Sequence, residues 1–305
     1  MTFFYRISGL NVASDLAFAG MIATLAVESV DVHIRRGILP ASLSAATANG
    51  PNWQLNERQL LVEIPAVVRL LVSDGEEILF EPAEGVSEPD VEIFLSGTGI
   101  GLVLHQRGQI ALHASAILVG DKAVLFCGAS GVGKSTIAAA LGKRGYGLVT
   151  DDIAAISMRN GAAFVESDGR WYKLWEQAID GLNLGARRGV AVRSCLAKFH
   201  VEPSRSATNA LPVGAIYHLR EARPPHDEGI ARPNMVDAGL IVRRNAYRPA
   251  MVKRLGQQEV YFANSAALVQ AGVFTLTRRL GFEHLPDTLA ALERHWADCG
   301  IAAAA

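Results

Sequence analysis

Cysteine is scarce: the 305-residue chain holds three, Cys127, Cys195 and Cys299, with no metal-ligand spacing among them. That excludes a disulfide scaffold or a zinc ribbon, and an odd, unclustered set fits a reducing compartment. Excess charge is lacking as well, since 29 Lys and Arg stand against 30 Asp and Glu for a net −1. No field of either sign is available to gather nucleic acid or an anionic membrane, so neither is expected as a partner. Long apolar runs are missing too, and the stretch Leu16–Val27 is too short and interrupted to span a bilayer. The opening Met1-Thr2-Phe3-Phe4-Tyr5-Arg6 lacks the basic-then-apolar order of a secretion signal. Together these absences lead to the expectation of a cytoplasmic protein. With 50% of residues hydrophobic, the chain can bury a substantial core in one large or two ordinary domains.

Glycine is plentiful where it matters. Residues 128–135 read Gly-Ala-Ser-Gly-Val-Gly-Lys-Ser, a complete G-x-x-x-x-G-K-[ST] loop. Its successive backbone N–H groups form an anion nest, which the glycines leave open to phosphate. Lys134 can reach the outer phosphates and the Ser135 hydroxyl can sit on Mg²⁺. A chance match in a chain of this size is on the order of one in a hundred on average usage. Context supports the motif. Ala123–Cys127 reads as a buried strand, and Cys127 as packing within it. The alanine-rich segment after the loop reads as a helix closed by Lys143-Arg144-Gly145.

The rest of the chain divides in two. Residues 1–90 read as a β-rich N-terminal domain, with strands over Phe3–Val12, Val30–Arg35, Gln59–Ile64, Val67–Val72 and Glu77–Glu81. Asn49-Gly50-Pro51-Asn52 reads as a loop, and Glu81–Pro89 as a linker. Residues 91–305 read as the nucleotide-binding domain. There Phe94–His105 is expected to be a helix ended by Arg107-Gly108. Ile110–Val119 is expected to be a strand that turns at Gly120-Asp121 and returns antiparallel as Ala123–Cys127. That hairpin implies a mixed sheet. Gly147–Thr150, Ile153–Met158 and Ala210–Leu219 read as strands. Trp175–Leu182, 258–280 and 286–297 read as helices, and Ala302–Ala305 as a frayed tail.

Two carboxylates stand just beyond a strand, at Asp151 and Asp152, where open α/β sheets build their ligand crevice. One could hold magnesium and the other accept a proton from an attacking hydroxyl; a helix cap or a turn would use the same residues. His113 lies on the strand antiparallel to the loop strand and could return beside the phosphates. Arg107, Lys173, Lys198 and Arg248 are candidates for phosphate or peptide contacts, though each, judged alone, reads as a solvated charge.

The stretch His113-Ala114-Ser115, the loop 128–135, Lys143-Arg144-Gly145 and Thr150-Asp151-Asp152 together resemble the catalytic core of HPr serine kinase/phosphorylase. The spacing agrees as well, with His113 22 positions before Ser135 and Asp152 17 after it. The resemblance implies an α/β fold with the P-loop mixed sheet of the HPr kinase C-terminal domain and a smaller β-rich N-terminal domain. It implies Asp152 as proton acceptor for a substrate serine, with His113 and Lys134 as catalytic partners. Gly128, Ala129, Ser130, Gly131, Val132, Gly133, Lys134, Ser135 and Thr136 would bind ATP and Ser135 would hold Mg²⁺; from its own position, Asp151 is expected to assist the metal directly or through water. The family's downstream segment, with its glutamate magnesium ligand, has no clear counterpart. Arg170-Trp171-Tyr172-Lys173-Leu174-Trp175 stands there instead and is similar to a divergent subgroup that includes lasso-peptide kinases. The subgroup resemblance implies a precursor peptide as substrate, phosphorylated on its C-terminal serine, and leaves homo-oligomerisation open. The alternatives are an HPr-type protein kinase, or a nucleotide-binding regulatory module without phosphotransfer.

Overall fold

In the computed structural model, which describes residues 1–25 and 28–301, the first eight strands form one sheet. They are β1 (Phe3–Ile7), β2 (Leu10–Ser14), β3 (Val32–Arg36), β4 (Ala48–Gly50), β5 (Trp53–Leu55), β6 (Gln59–Ile64), β7 (Val68–Ser73) and β8 (Glu77–Pro82). Their order is β1-β2-β3-β8-β7-β6-β5-β4. The single strand expected over Phe3–Val12 is a hairpin instead. Ser8 (φ 54°) and Gly9 (φ 81°) make the two-residue, positive-φ turn that suits twisted antiparallel strands. Asn49–Asn52 is likewise the reversal of a short hairpin, in which Gly50 pairs with Trp53. The Ala26 end of the apolar segment Leu16–Val27 lies outside the described residues, as does the tail Ala302–Ala305.

Helix α1 (Glu88–Phe94) starts six residues before the sequence suggests. Ser87 caps it by accepting the Asp90 N–H, and Pro89 is tolerated in the first turn, where no intrahelical partner is needed. A π-helical turn, Leu95–Gly99, joins it to α2 (Ile100–Gln106), which ends at Arg107-Gly108. Val91, Leu95, Ile100 and Val103 close one side of the N-terminal sheet, and Ala111, Ile153 and Ala155 join the same apolar core. This helix therefore packs against both parts of the chain.

The second sheet is built from β9 (Ile110–Leu112), β10 (Ala114–Val119) and β11 (Lys122–Cys127). After α3 (Lys134–Lys143) come β12 (Gly147–Thr150), β13 (Ala154–Arg159) and β14 (Ala162–Val165). The chain then leaves this sheet. β15 (Tyr172–Trp175), α4 (Glu176–Gly181), β16 (Arg188–Ala191) and β17 (Lys198–Val201) form a separate flap, with strand order β15-β17-β16. It returns as β18 (Leu211–Glu221) and β19 (Gly229–Ala231). Helices α5 (Met235–Arg244), α6 (Pro249–Arg254) and α7 (Gln258–Gly272) follow, then β20 (Val273–Arg278) and α8 (Leu285–Asp298).

The sheet is mixed, as the β10–β11 hairpin implies. β11 is antiparallel to β10 and parallel to β18, and β18 is parallel to β20. Ile137 and Leu141 of α3 pack with Ile117, Phe126 and Tyr217 under Leu292 and Trp296 of α8. Val242 of α5 and Leu268 of α7 cover the opposite face. Cys127 is buried in the loop strand, and burial keeps its thiol protonated, up at about 12.

Two expectations fail here for physical reasons. The strand expected over Ile110–Val119 breaks at His113, whose N–H donates to Asn245 O (2.8 Å) and not to a neighbouring strand. β9 pairs with β13, whereas β10 pairs with β11 and β12. The helix expected over 258–280 stops at Gly272 (φ 108°), and the Val/Phe/Thr-rich run after it becomes β20 beside β18. Among the described residues no helix is long and apolar enough to cross a membrane.

Candidate active site

The loop takes the shape its glycines allow. Gly128 (φ 140°), Gly131 (φ 83°) and Gly133 (φ 96°) all hold positive φ, and a Cβ on Gly128 would sit 2.8 Å from Leu219 O. Val132 N–H closes the turn on Ala129 O (3.3 Å). Lys134 folds back inside the loop and donates to Gly128 O (3.0 Å) and Ala129 O (3.1 Å). Burial lowers its pKa, with partial compensation from Asp151 and Asp152. Behind the loop, buried Arg278 donates to Val132 O (2.9 Å) and packs its guanidinium where a Gly133 side chain would go. Its Nε has no hydrogen-bond partner among the described residues. No sequence pattern points to Arg278, because its place depends on β20.

Asp151 and Asp152 leave β12 in different directions. Asp151 is 1% exposed and accepts hydroxyl hydrogens from Ser115 and Ser135 (2.8 Å) on Oδ1, and the Lys173 N–H (2.9 Å) on Oδ2. Asp152 holds φ 80°, a strained angle for a non-glycine residue and the kind that gathers at functional sites. Thr150 steadies this turn by donating to Ile153 O (2.7 Å). The Asp152 carboxylate has Lys173 Nζ on one oxygen and His113 Nδ1 on the other, each at 3.3 Å, and the same Nδ1 is hydrogen-bonded to the Asp152 backbone oxygen at 3.0 Å. Burial alone would raise its pKa. Lys173, His113 and Arg170 overcome that and hold the carboxyl well below the ordinary range. His113 packs in turn against Tyr247, with ring centroids 6.1 Å apart.

These groups face one cleft of ≈ 230 Å³ that takes in the loop tip, Ser135, both aspartates, Lys173, Trp175 and Lys198. Of the loop residues, Ser130, Gly131, Gly133, Lys134, Ser135 and Thr136 line it directly. Of the four basic candidates, Lys173 and Lys198 therefore belong to the site. Arg107 and Arg248 do not line it. Arg107 donates to Gly75 O (3.1 Å), and Arg248 donates to Thr98 Oγ1 (2.5 Å) in the π turn.

Beneath the cleft lies a buried polar layer that the sequence does not announce. Arg170 is 1% exposed, pairs with Asp168 and donates to Ser96 O (3.0 Å). Glu92 is 4% exposed, and burial pushes its carboxyl up to about 7 against the pull of Lys173 and Arg170. The folded protein thus keeps a proton there that the unfolded chain, near the ordinary 4.5, has released. Stability therefore falls as pH rises from about 4.5 to about 7, by on the order of 3 kcal/mol from this group. Glu92→Gln is expected to raise the melting temperature at pH 8 and leave it nearly unchanged at pH 4.5. Equal shifts at both pH values in calorimetric scans would contradict the assignment.

A strand, a glycine loop on a helix N-terminus and an acidic pair beyond the next strand are arranged as a phosphate-binding loop requires, and make this the candidate site. Residues 106–178, from the end of α2 to α4, match the family described as the HPr Serine kinase C-terminal domain, and this segment is HPr-kinase-like. Among solved structures, that of the Hpr(Ser) kinase/phosphatase from Coxiella burnetii is similar at 13% identity. That match covers 62% of this chain and 98% of that one, with a TM-score of 0.33. No curated protein matches the chain.

The donor set fits magnesium nucleotide. Ser135 Oγ and Asp151 supply hard oxygen, and Mg²⁺ bound to a nucleotide needs only one or two protein oxygens besides phosphate and water. Among the described residues no cluster of three or more His, Cys, Asp or Glu could hold a metal without the nucleotide.

Proposed function

We propose that this protein is an ATP- and Mg²⁺-dependent serine kinase acting on a peptide, with the C-terminal serine of a lasso-peptide precursor as the acceptor. The observation that carries the reading is the Asp152 carboxylate, held between His113 and Lys173 in the same cleft as Lys134 and Ser135. Phosphoryl transfer asks the protein mainly to position groups and neutralise charge. The loop amides and Lys134 would hold the outer phosphates, which requires Lys134 to exchange two carbonyls for phosphate oxygens. Ser135 and Asp151 would hold magnesium, which offsets phosphate charge when bound. Asp152 would orient the acceptor hydroxyl and take its proton late in the transfer, and His113 and Lys173 would fix the carboxylate's direction.

The peptide reading is supported by the Lys173-Leu174-Trp175 element, which forms a wall of the cleft. A second reading, an HPr-type protein serine kinase, is favoured by the family match over residues 106–178. The two are separated by incubating the protein with Mg-ATP and either HPr or a serine-terminated precursor peptide, and following the mass gain of one phosphate. Transfer to the peptide alone supports the first reading, and transfer to HPr alone replaces it. Lys134→Ala is expected to abolish either transfer and to weaken nucleotide binding at least tenfold in titration calorimetry, since a charge-assisted phosphate contact is worth about 1.5–3 kcal/mol. Tight ATP binding with no phosphorylated product would leave only a regulatory role for the site.

A further inference from the structure

The flap presents a charged and aromatic face that the phosphate chemistry does not use. In the β15–β17 ladder Lys173 lies opposite His200, and Trp175 opposite Lys198. Alternation along a strand puts Lys173 and Trp175 on one face with those partners. The inner end of this face is buried, with Lys173 at 6% and His200 at 3% exposure, and is fixed by Lys173 on Asp152. The outer end reaches the mouth of the cleft, where Trp175 is 50% exposed. Lys198 Nζ lies 5.8 Å from the Trp175 ring centroid.

Charge matching leaves Lys198 over. Three lysines and two aspartates line the cleft. Lys134 sits in the donor loop and Lys173 pairs with Asp152. Lys198 forms no ion pair with any Asp or Glu among the described residues, and its charge acts repulsively on Lys134 and His200. A half-exposed tryptophan beside a cation with no carboxylate partner offers an incoming chain an apolar face and a positive charge at the cleft mouth. The covering group would be anionic at Lys198 and apolar at the ring. It would lie two residues along the strand from the Lys173 clamp, about 7 Å away. Lys173 ties this wall to Asp152, whereas the nucleotide's phosphates already have the loop amides and Lys134.

We infer that Trp175 and Lys198 form an acceptor subsite that takes a carboxylate lying within one residue of the hydroxyl to be phosphorylated. The inference rests on the kinase reading above and gives its acceptor a chemical signature. Lys198 donates to the carboxylate, the indole covers the apolar part of the chain, and the hydroxyl falls at Asp152.

The test uses one labelled serine-terminated peptide in two forms, free acid and C-terminal amide. Binding is measured by fluorescence anisotropy with a non-hydrolysable ATP analogue present, and transfer by initial rates with ATP. The wild-type protein is expected to bind the acid about tenfold more tightly than the amide, equivalent to one charge-assisted contact of about 1.4 kcal/mol. Lys198→Met is expected to erase the preference, Lys198→Arg to keep most of it, and Trp175→Leu to weaken both forms. Equal binding of acid and amide by the wild type overturns the subsite. So does a Lys198→Met variant that keeps the preference while losing nucleotide affinity, which would place Lys198 with the phosphates. A retained acid preference without any phosphate transfer would support the subsite and overturn the kinase reading instead.

Discussion

Asp152→Asn is expected to lower phosphoryl transfer by about 10²–10⁴-fold, the usual loss when a positioned proton acceptor is removed. Nucleotide affinity should change by less than about threefold, because among the described residues Asp152 forms no hydrogen bond or ion pair with residues 128–136. The substitution keeps size and one acceptor oxygen, so the contact with Lys173 can persist while the proton site is lost. The depressed pKa of Asp152 bears on the mechanism. Lys173 and His113 keep the carboxylate charged, and this makes it a weak base. A weak base suffices only if the acceptor proton leaves late, as it does in a loose transfer. The transfer rate of the unaltered protein should then fall only as pH drops below the carboxylate range, not near neutrality from this group. Near-normal turnover of Asp152→Asn in a steady-state phosphopeptide assay would remove the base from the mechanism and leave Asp152 as an orienting group.

What the sequence made legible follows from how local each feature is. The phosphate loop, its strand, its helix and the Gly145 stop are set by angles and patterns within about twenty residues, and all form as read. The β10–β11 hairpin, and with it the mixed sheet, was legible because Gly120-Asp121 is a short-range turn signal. The break at His113 was not, since the group that takes its N–H, Asn245 O, is far along the chain. The same holds for β20, where the alternating Val, Phe and Thr were hidden behind a helical lead-in. Within the site, Asp151, Asp152 and His113 could be picked out because strands deliver them to one edge. The structure brings them together with Lys134 and Ser135. Lys173 could be placed only by the flap, and Arg278 only by a strand whose existence was not expected. Helix α1 was read late because its start signal, Ser87 with Asp90, sits in a proline-bearing segment that resembles a linker.

Asp168→Ala is expected to destabilise the fold by about 3–5 kcal/mol, the usual cost of stripping one partner from a buried ion pair. Neither side chain of the pair is more than 1% exposed. Asp168 also accepts from the Arg170 N–H (3.3 Å), so its loss orphans both the guanidinium and a buried backbone donor. Among the described residues, the Arg170 guanidinium already has one nitrogen, Nη2, without a hydrogen-bond partner, and Ser96 Oγ has none either. Little is therefore at hand to absorb the uncompensated charge. Replacing the pair with apolar groups, Asp168→Leu with Arg170→Met, should recover most of the loss, because the desolvation cost of both ions disappears together. Urea midpoints for the single and double variants test this. A loss below about 1 kcal/mol for Asp168→Ala would mean that water reaches the guanidinium. The double variant also separates stability from catalysis. Arg170 lies three residues before Lys173, holds the π turn through Ser96 O, and contributes to the low pKa of Asp152. A stable but slow double variant would show that the buried pair serves to aim the flap's lysine at the carboxylate, a role that an apolar core of equal stability cannot fill.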